Sequence, residues 1–102
     1  MVGIYVAAKI GPTVTATITS GVSVTTQLIT TNFRITLFVL RATVATYIAQ
    51  GDSTTVATTA DMQLRSDTYY PLTVEGENDS YIATNGVSSS GTLYCTIASR
   101  VL

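Results

Sequence analysis

Histidine and tryptophan are absent from this chain, cysteine occurs once, proline twice, and charged residues make up only 11% of it. Each shortage removes a class of chemistry. Without histidine the commonest general base, the usual imidazole metal ligand and any Ser-His-Asp arrangement go together. The single Cys95 has no partner for an internal disulfide, so the fold is not held by covalent staples. It shares strand parity with Leu93 and Ile97 and reads as a buried, inert thiol. The five basic residues, Lys9, Arg34, Arg41, Arg65 and Arg100, are scattered, and the formal net charge is −1. A protein that tracks phosphates clusters its cations, so nucleic acid is not an expected partner. The opening "MVGIYVAAKIGP" has no basic start, and its apolar run is shorter than a signal peptide or a membrane span requires. No membrane association is expected.

The six acids are no better placed for catalysis. Asp52, Asp61, Asp67, Glu75, Glu77 and Asp79 fall in stretches rich in Gly, Ser, Thr and Asn, where carboxylates accept bonds from nearby backbone donors. "EGEND" lacks the ligand spacing of a calcium loop, and no two acids show a spacing that marks a glycosidase pair. The expectation is a protein with no catalytic residues, no metal and no cofactor.

What the chain does have is hydroxyl groups and alternation. Hydrophobic residues reach 46%, while the charged share is well below the ~25% of ordinary globular chains, so Thr and Ser supply the polar surface. Thr is also β-branched and favours strands. In "TVTATITS", Val14, Ala16 and Ile18 share one face and Thr13, Thr15, Thr17 and Thr19 the other, the pattern of a half-buried strand. Ser20-Gly21 reads as the turn of an early hairpin, with Val22 and Val24 resuming the alternation. "YYPLTV" puts Tyr70, Leu72 and Val74 on one face, and Pro71 suits an edge strand or a strand start. "TLYCTIAS" turns Leu93, Cys95 and Ile97 inward and Thr92, Tyr94 and Thr96 outward. Residues 47–64, "YIAQGDSTTVATTADMQL", read as a strand, a Gly-Asp turn and a Thr-rich edge.

A chain of 102 residues is one domain. Roughly seven to nine short strands, with turns every ~8–12 residues, predict an all-β antiparallel sandwich of jelly-roll type over residues 13–102. Residues 1–12, set off by Gly11-Pro12, are either an N-terminal arm or the first strand; an arm adds a strand to a neighbouring subunit. A domain of this size buries only ~60–70% of its unfolded surface, so further burial against a partner is favourable. "NFRITLFVLRA" is apolar on both faces, which fits a central strand covered twice or a strand facing a partner. Phe38 and Leu40 are expected near such contacts, with Arg34 and Arg41 at the rim. Tyr5, in the arm, completes the candidate interface.

"YIAQGDSTTVATTADMQL", followed by "YYPLTVEGENDSYIATNGVSSSGTLYCTIA", resembles small structural proteins of tailed bacteriophages and prophages. The matching features are Gly51-Asp52-Ser53, the "ATTADM" stretch at 57–62, Tyr81-Ile82-Ala83 and "GTLY" at 91–94. The resemblance runs from about Asn32 onward and rests on a pattern of strands and turns. Where such proteins often carry a Pro-Ala-Gly turn, this chain reads "RSDTYYP". The resemblance implies a virion component, most often a capsid decoration or cement protein. Such a protein sits on the outer shell, commonly as a homotrimer, and pins neighbouring major capsid protein subunits. The alternative within the virion is a tail or head-fibre adhesion module that binds host-surface glycans.

Overall fold

The computed structural model describes residues 13–28, 35–75 and 79–101. The arm or first strand at residues 1–12, with Tyr5, and Arg34 lie outside the described residues. The described residues form eight strands: β1 (Thr13–Ile18), β2 (Ser23–Gln27), β3 (Ile35–Ala42), β4 (Thr46–Gly51), β5 (Met62–Leu64), β6 (Tyr69–Val74), β7 (Tyr81–Gly86) and β8 (Gly91–Val101). They form two four-stranded sheets, in the orders β1-β8-β3-β6 and β2-β7-β4-β5, and every neighbouring pair is antiparallel.

The order follows from a single long hairpin. β4 pairs with β5, β3 with β6, β2 with β7 and β1 with β8, as in one ladder bent at the β4–β5 connection. Rolling that ladder on itself adds the β3–β8 and β4–β7 pairings and yields two facing sheets. This is the eight-stranded jelly roll, one of the solutions that limits exposed strand edges.

Period-two alternation decides which side chains face the other sheet. Ala16 and Ile18 of β1, Phe38, Leu40 and Ala42 of β3, and Leu93, Cys95 and Ile97 of β8 pack against Ile48, Leu64 and Ile82 of the second sheet. Phe38 and Leu40 are fully buried, so the expectation that they lie near partner contacts is corrected. β3 is central in its sheet, and the face bearing these two side chains is the one that closes the core. Its other face, with Leu37, Val39 and Arg41, is half-buried.

Three buried threonines handle their hydroxyls differently. Thr84 donates to the Thr17 carbonyl at 2.8 Å, a bond from β7 to β1 that ties one sheet to the other. Thr46 accepts from the Asn85 amide at 3.0 Å and donates to the Tyr47 carbonyl. Thr36 is fully buried, and its hydroxyl has no partner among the described residues.

The expected hairpin at Ser20-Gly21 is a corner. β1 and β2 belong to different sheets, and only an isolated Thr19–Val22 bridge spans the turn. Gly21 sits at φ +71°, a left-handed conformation that glycine adopts without a Cβ clash. The Thr19 carbonyl accepts from both Val22 and Gly86, and Gly21 donates to the Gly86 carbonyl, so the corner is fastened to the end of β7. Pro71 lies in β6, an edge strand, where its missing donor leaves no ladder bond unmade.

Candidate functional site

The two outer faces of the sandwich differ. The outer face of β2-β7-β4-β5 is overlaid by the connection between β4 and β5, the Thr-rich segment expected to be a sheet edge. It is instead a layer laid across the sheet. Ser23 accepts from the Ala57 amide at 2.9 Å, Asn85 donates its side-chain amide to the Ala57 carbonyl at 3.1 Å, and Thr25 donates to the Thr55 carbonyl at 2.6 Å. Ala57 and Ala83 are buried yet stand apart from the core cluster, as residues pressed between a sheet and its cover do.

Asp52 and Asp61 form the two ends of this layer. Asp52 accepts from the Thr54 hydroxyl at 2.6 Å and the Thr54 amide at 2.9 Å. These bonds, the hydroxyl first, hold its carboxyl below the ordinary aspartate value. Asp61 accepts from the Thr58 amide at 2.7 Å and returns its own amide to the Thr58 carbonyl. Each carboxylate therefore satisfies a neighbouring threonine, the local pairing that Asp side chains make in turns. At Gly51 a Cβ would meet the Thr55 hydroxyl, which would have to turn aside, so glycine lets the layer close against the end of β4 without that shift. Between the two turns, residues 53–60 carry no charge, and Val56 points outward with 60% of its surface exposed.

The outer face of β1-β8-β3-β6 carries a row of side chains set by register. Thr15 opposes Tyr94, Tyr94 opposes Arg41, and Arg41 opposes Tyr69. The next row contains Thr13, Thr96, Val39 and Pro71, and the Thr13 and Thr96 hydroxyls are 2.9 Å apart. A half-open groove of about 450 Å³ lies over these rows, with Val39, Ile97 and Ala98 contributing its apolar lining. The β3–β8 register slips between Leu37 and Phe38, an irregularity that falls beside Ala98.

Arg41 is fixed from two directions. Its guanidinium carbon stands 4.8 Å from the Tyr94 ring centroid, and Nη1 donates to Asp67 Oδ1 at 3.1 Å. A cation over an aromatic face contributes about 0.5–1 kcal/mol at a surface. Asp67 is the one non-glycine residue with positive φ, at 57°, among the described residues. That conformation costs roughly 1–2 kcal/mol for a residue with a Cβ, less for Asp than for most. Its amide donates to the Ala42 carbonyl at 2.7 Å, which holds the turn in place.

Of the residues singled out from the sequence, Arg41 alone lies at this surface among the described residues; Phe38 and Leu40 are core. The alternation in "YYPLTV" singles out Tyr70 with Leu72 and Val74, and its neighbour Tyr69, which is 71% exposed, was not marked by it. Nor does the sequence mark Asp67 as the partner of Arg41, since the pair joins β3 to the β5–β6 turn and forms only through the sheet register. Cys95 is fully buried, and burial pushes its thiol up to about 12. Among the described residues no group of three or more His, Cys, Asp or Glu is placed to hold a metal ion. Comparison with family models, with curated proteins and with solved structures yields no match.

Proposed function

We propose that this chain is a structural virion protein of the decoration type, which adheres to the outer face of a capsid shell and carries out no chemistry. The observation that carries this reading is the pinned layer over β2-β7-β4-β5. It presents an uncharged, hydroxyl-rich surface centred on Val56 and held by hydrogen bonds before any partner arrives. Such a surface loses little freedom on docking, and that ordering cost otherwise consumes much of the gross binding energy.

The resemblance in the strands and turns from about Asn32 onward names the major capsid protein as the partner. Many copies on one particle make a modest contact sufficient, because tethered contacts add. Association as a homotrimer belongs to the same reading. Among the described residues β1 is an edge strand, and its six residues include no charge, no proline and no register shift, features that leave an edge open to strand addition.

The test is the amount of this chain in particles purified from the cells that encode it. Band intensity comparable with that of the shell protein supports a decoration role. A few copies per particle would transfer the chain to a tail or head fibre, and absence from particles would overturn the reading.

A further inference from the structure

The groove on β1-β8-β3-β6 is on the opposite face of the sandwich from the layer assigned to the shell, so a protein held by that layer turns the groove outward. We infer that this groove is a binding site for a neutral sugar ring, the terminal unit of a surface glycan. The inference is independent of the shell assignment.

The argument begins with charge. Arg41 is the one Asp, Glu, Lys, Arg or His side chain in the groove lining, and Asp67 of the adjacent turn pairs with it. A phosphate or carboxylate ligand would have to compete with Asp67 for the guanidinium. A neutral ligand needs no such exchange. The pair also sets donors beside an acceptor. Asp67 Oδ1 engages a single guanidinium N–H, so the remaining N–H groups of Arg41 and the second carboxylate oxygen of Asp67 are open toward solvent among the described residues. Two adjacent ring hydroxyls, each able to donate and to accept, match that arrangement.

The apolar half of a sugar ring is matched as well. Tyr69 is mostly exposed beside Val39 and Ala98, and an aromatic ring with a polar tip suits a partner that has C–H faces and hydroxyl edges. On the far side the Thr13–Thr96 pair supplies further hydroxyls. The volume lies within the ~300–1,000 Å³ of small-ligand sites.

Saturation-transfer NMR of the full chain, with methyl α-D-glucopyranoside, methyl α-D-mannopyranoside and methyl β-D-galactopyranoside as probes, tests this. At least one glycoside should receive saturation and shift the Tyr69 and Tyr94 ring signals. Asp67→Gly and Tyr69→Ala should each weaken that binding by about tenfold or more, the scale expected when a paired polar group or a stacking ring is removed. Glycine suits the positive φ, so Asp67→Gly should keep the thermal midpoint of the parent, which separates lost binding from lost folding. Val56→Asp, on the other face, should bind sugar as the parent does. No binding of any of the three glycosides to the parent, or unchanged binding in both groove variants, would overturn the inference.

Discussion

The side-chain amide of Asn85, on β7, donates to the carbonyl of Ala57 at 3.1 Å, so a strand in the middle of one sheet grips the loop that covers it. This bond and those from Ser23 and Thr25 turn a Thr-rich connection into a third layer. The abundance of threonine around Gly51-Asp52 then has a local cause: the hydroxyls and amides of Thr54 and Thr58 are the donors that Asp52 and Asp61 accept.

Asn85→Ala should loosen that layer without dissolving the sandwich. One hydrogen bond of this kind contributes about 0.5–1.5 kcal/mol net. The expected result is a stability loss of that order, together with faster amide exchange at Ala57, whose N–H bonds to Ser23. Unchanged exchange at Ala57 would show that the layer is held by something else.

The two faces of β3 should respond unequally to truncation. Phe38→Ala removes a fully buried ring and is expected to cost about 3–5 kcal/mol. Leu37 is half-buried on the outer face, so Leu37→Ala should cost clearly less, on the order of 1 kcal/mol. Urea denaturation of the two variants checks the order, and equal losses would contradict the parity.

Thr36→Val should stabilise the protein. Its hydroxyl is buried with no partner among the described residues, and such a group costs about 1–3 kcal/mol relative to a satisfied one. Valine fills nearly the same space and has no polar atom. The denaturation midpoint should rise; a fall would mean that the hydroxyl is satisfied in solution.

Asp52 supplies a pH dependence of known sign. Its hydrogen bonds with Thr54 lower its folded value, so the carboxylate form is favoured by folding. Its contribution is fully present above the ordinary aspartate value and is lost as pH falls through the lower folded value. The difference in urea midpoint between the parent and Asp52→Ala should therefore be constant near neutrality and shrink in acid. A difference that grows as pH falls would contradict the bonding described.

The fold was readable where one face of a strand is buried and the other is wet. In β1 and β8 the alternation of Thr with Val, Ala, Ile, Leu and Cys assigns every inward residue correctly, because a pleated strand has only two faces. On β3 the same rule could not choose a face, and Phe38 and Leu40, expected near partner contacts, are core instead. Both of its faces are apolar, and which one closes the core depends on sheet order, a long-range property. Residues 52–61 were misjudged for a related reason. β-branched threonines look like strand formers, yet here their hydroxyls make turns, and the bonds to Ser23, Thr25 and Asn85 come from residues distant in sequence. The groove was hidden likewise, since Tyr94, Arg41 and Tyr69 become neighbours only through the β8-β3-β6 pairing.

Adhesion through the covering layer is most directly tested by incorporation of Val56→Asp into particles, measured as the ratio of this chain to the shell protein beside the parent. A charge at the centre of an uncharged contact surface should exclude the variant from particles while its denaturation midpoint stays at the parental value, because Val56 is 60% exposed. Incorporation of Val56→Asp at the parental ratio would show that the layer does not touch the shell.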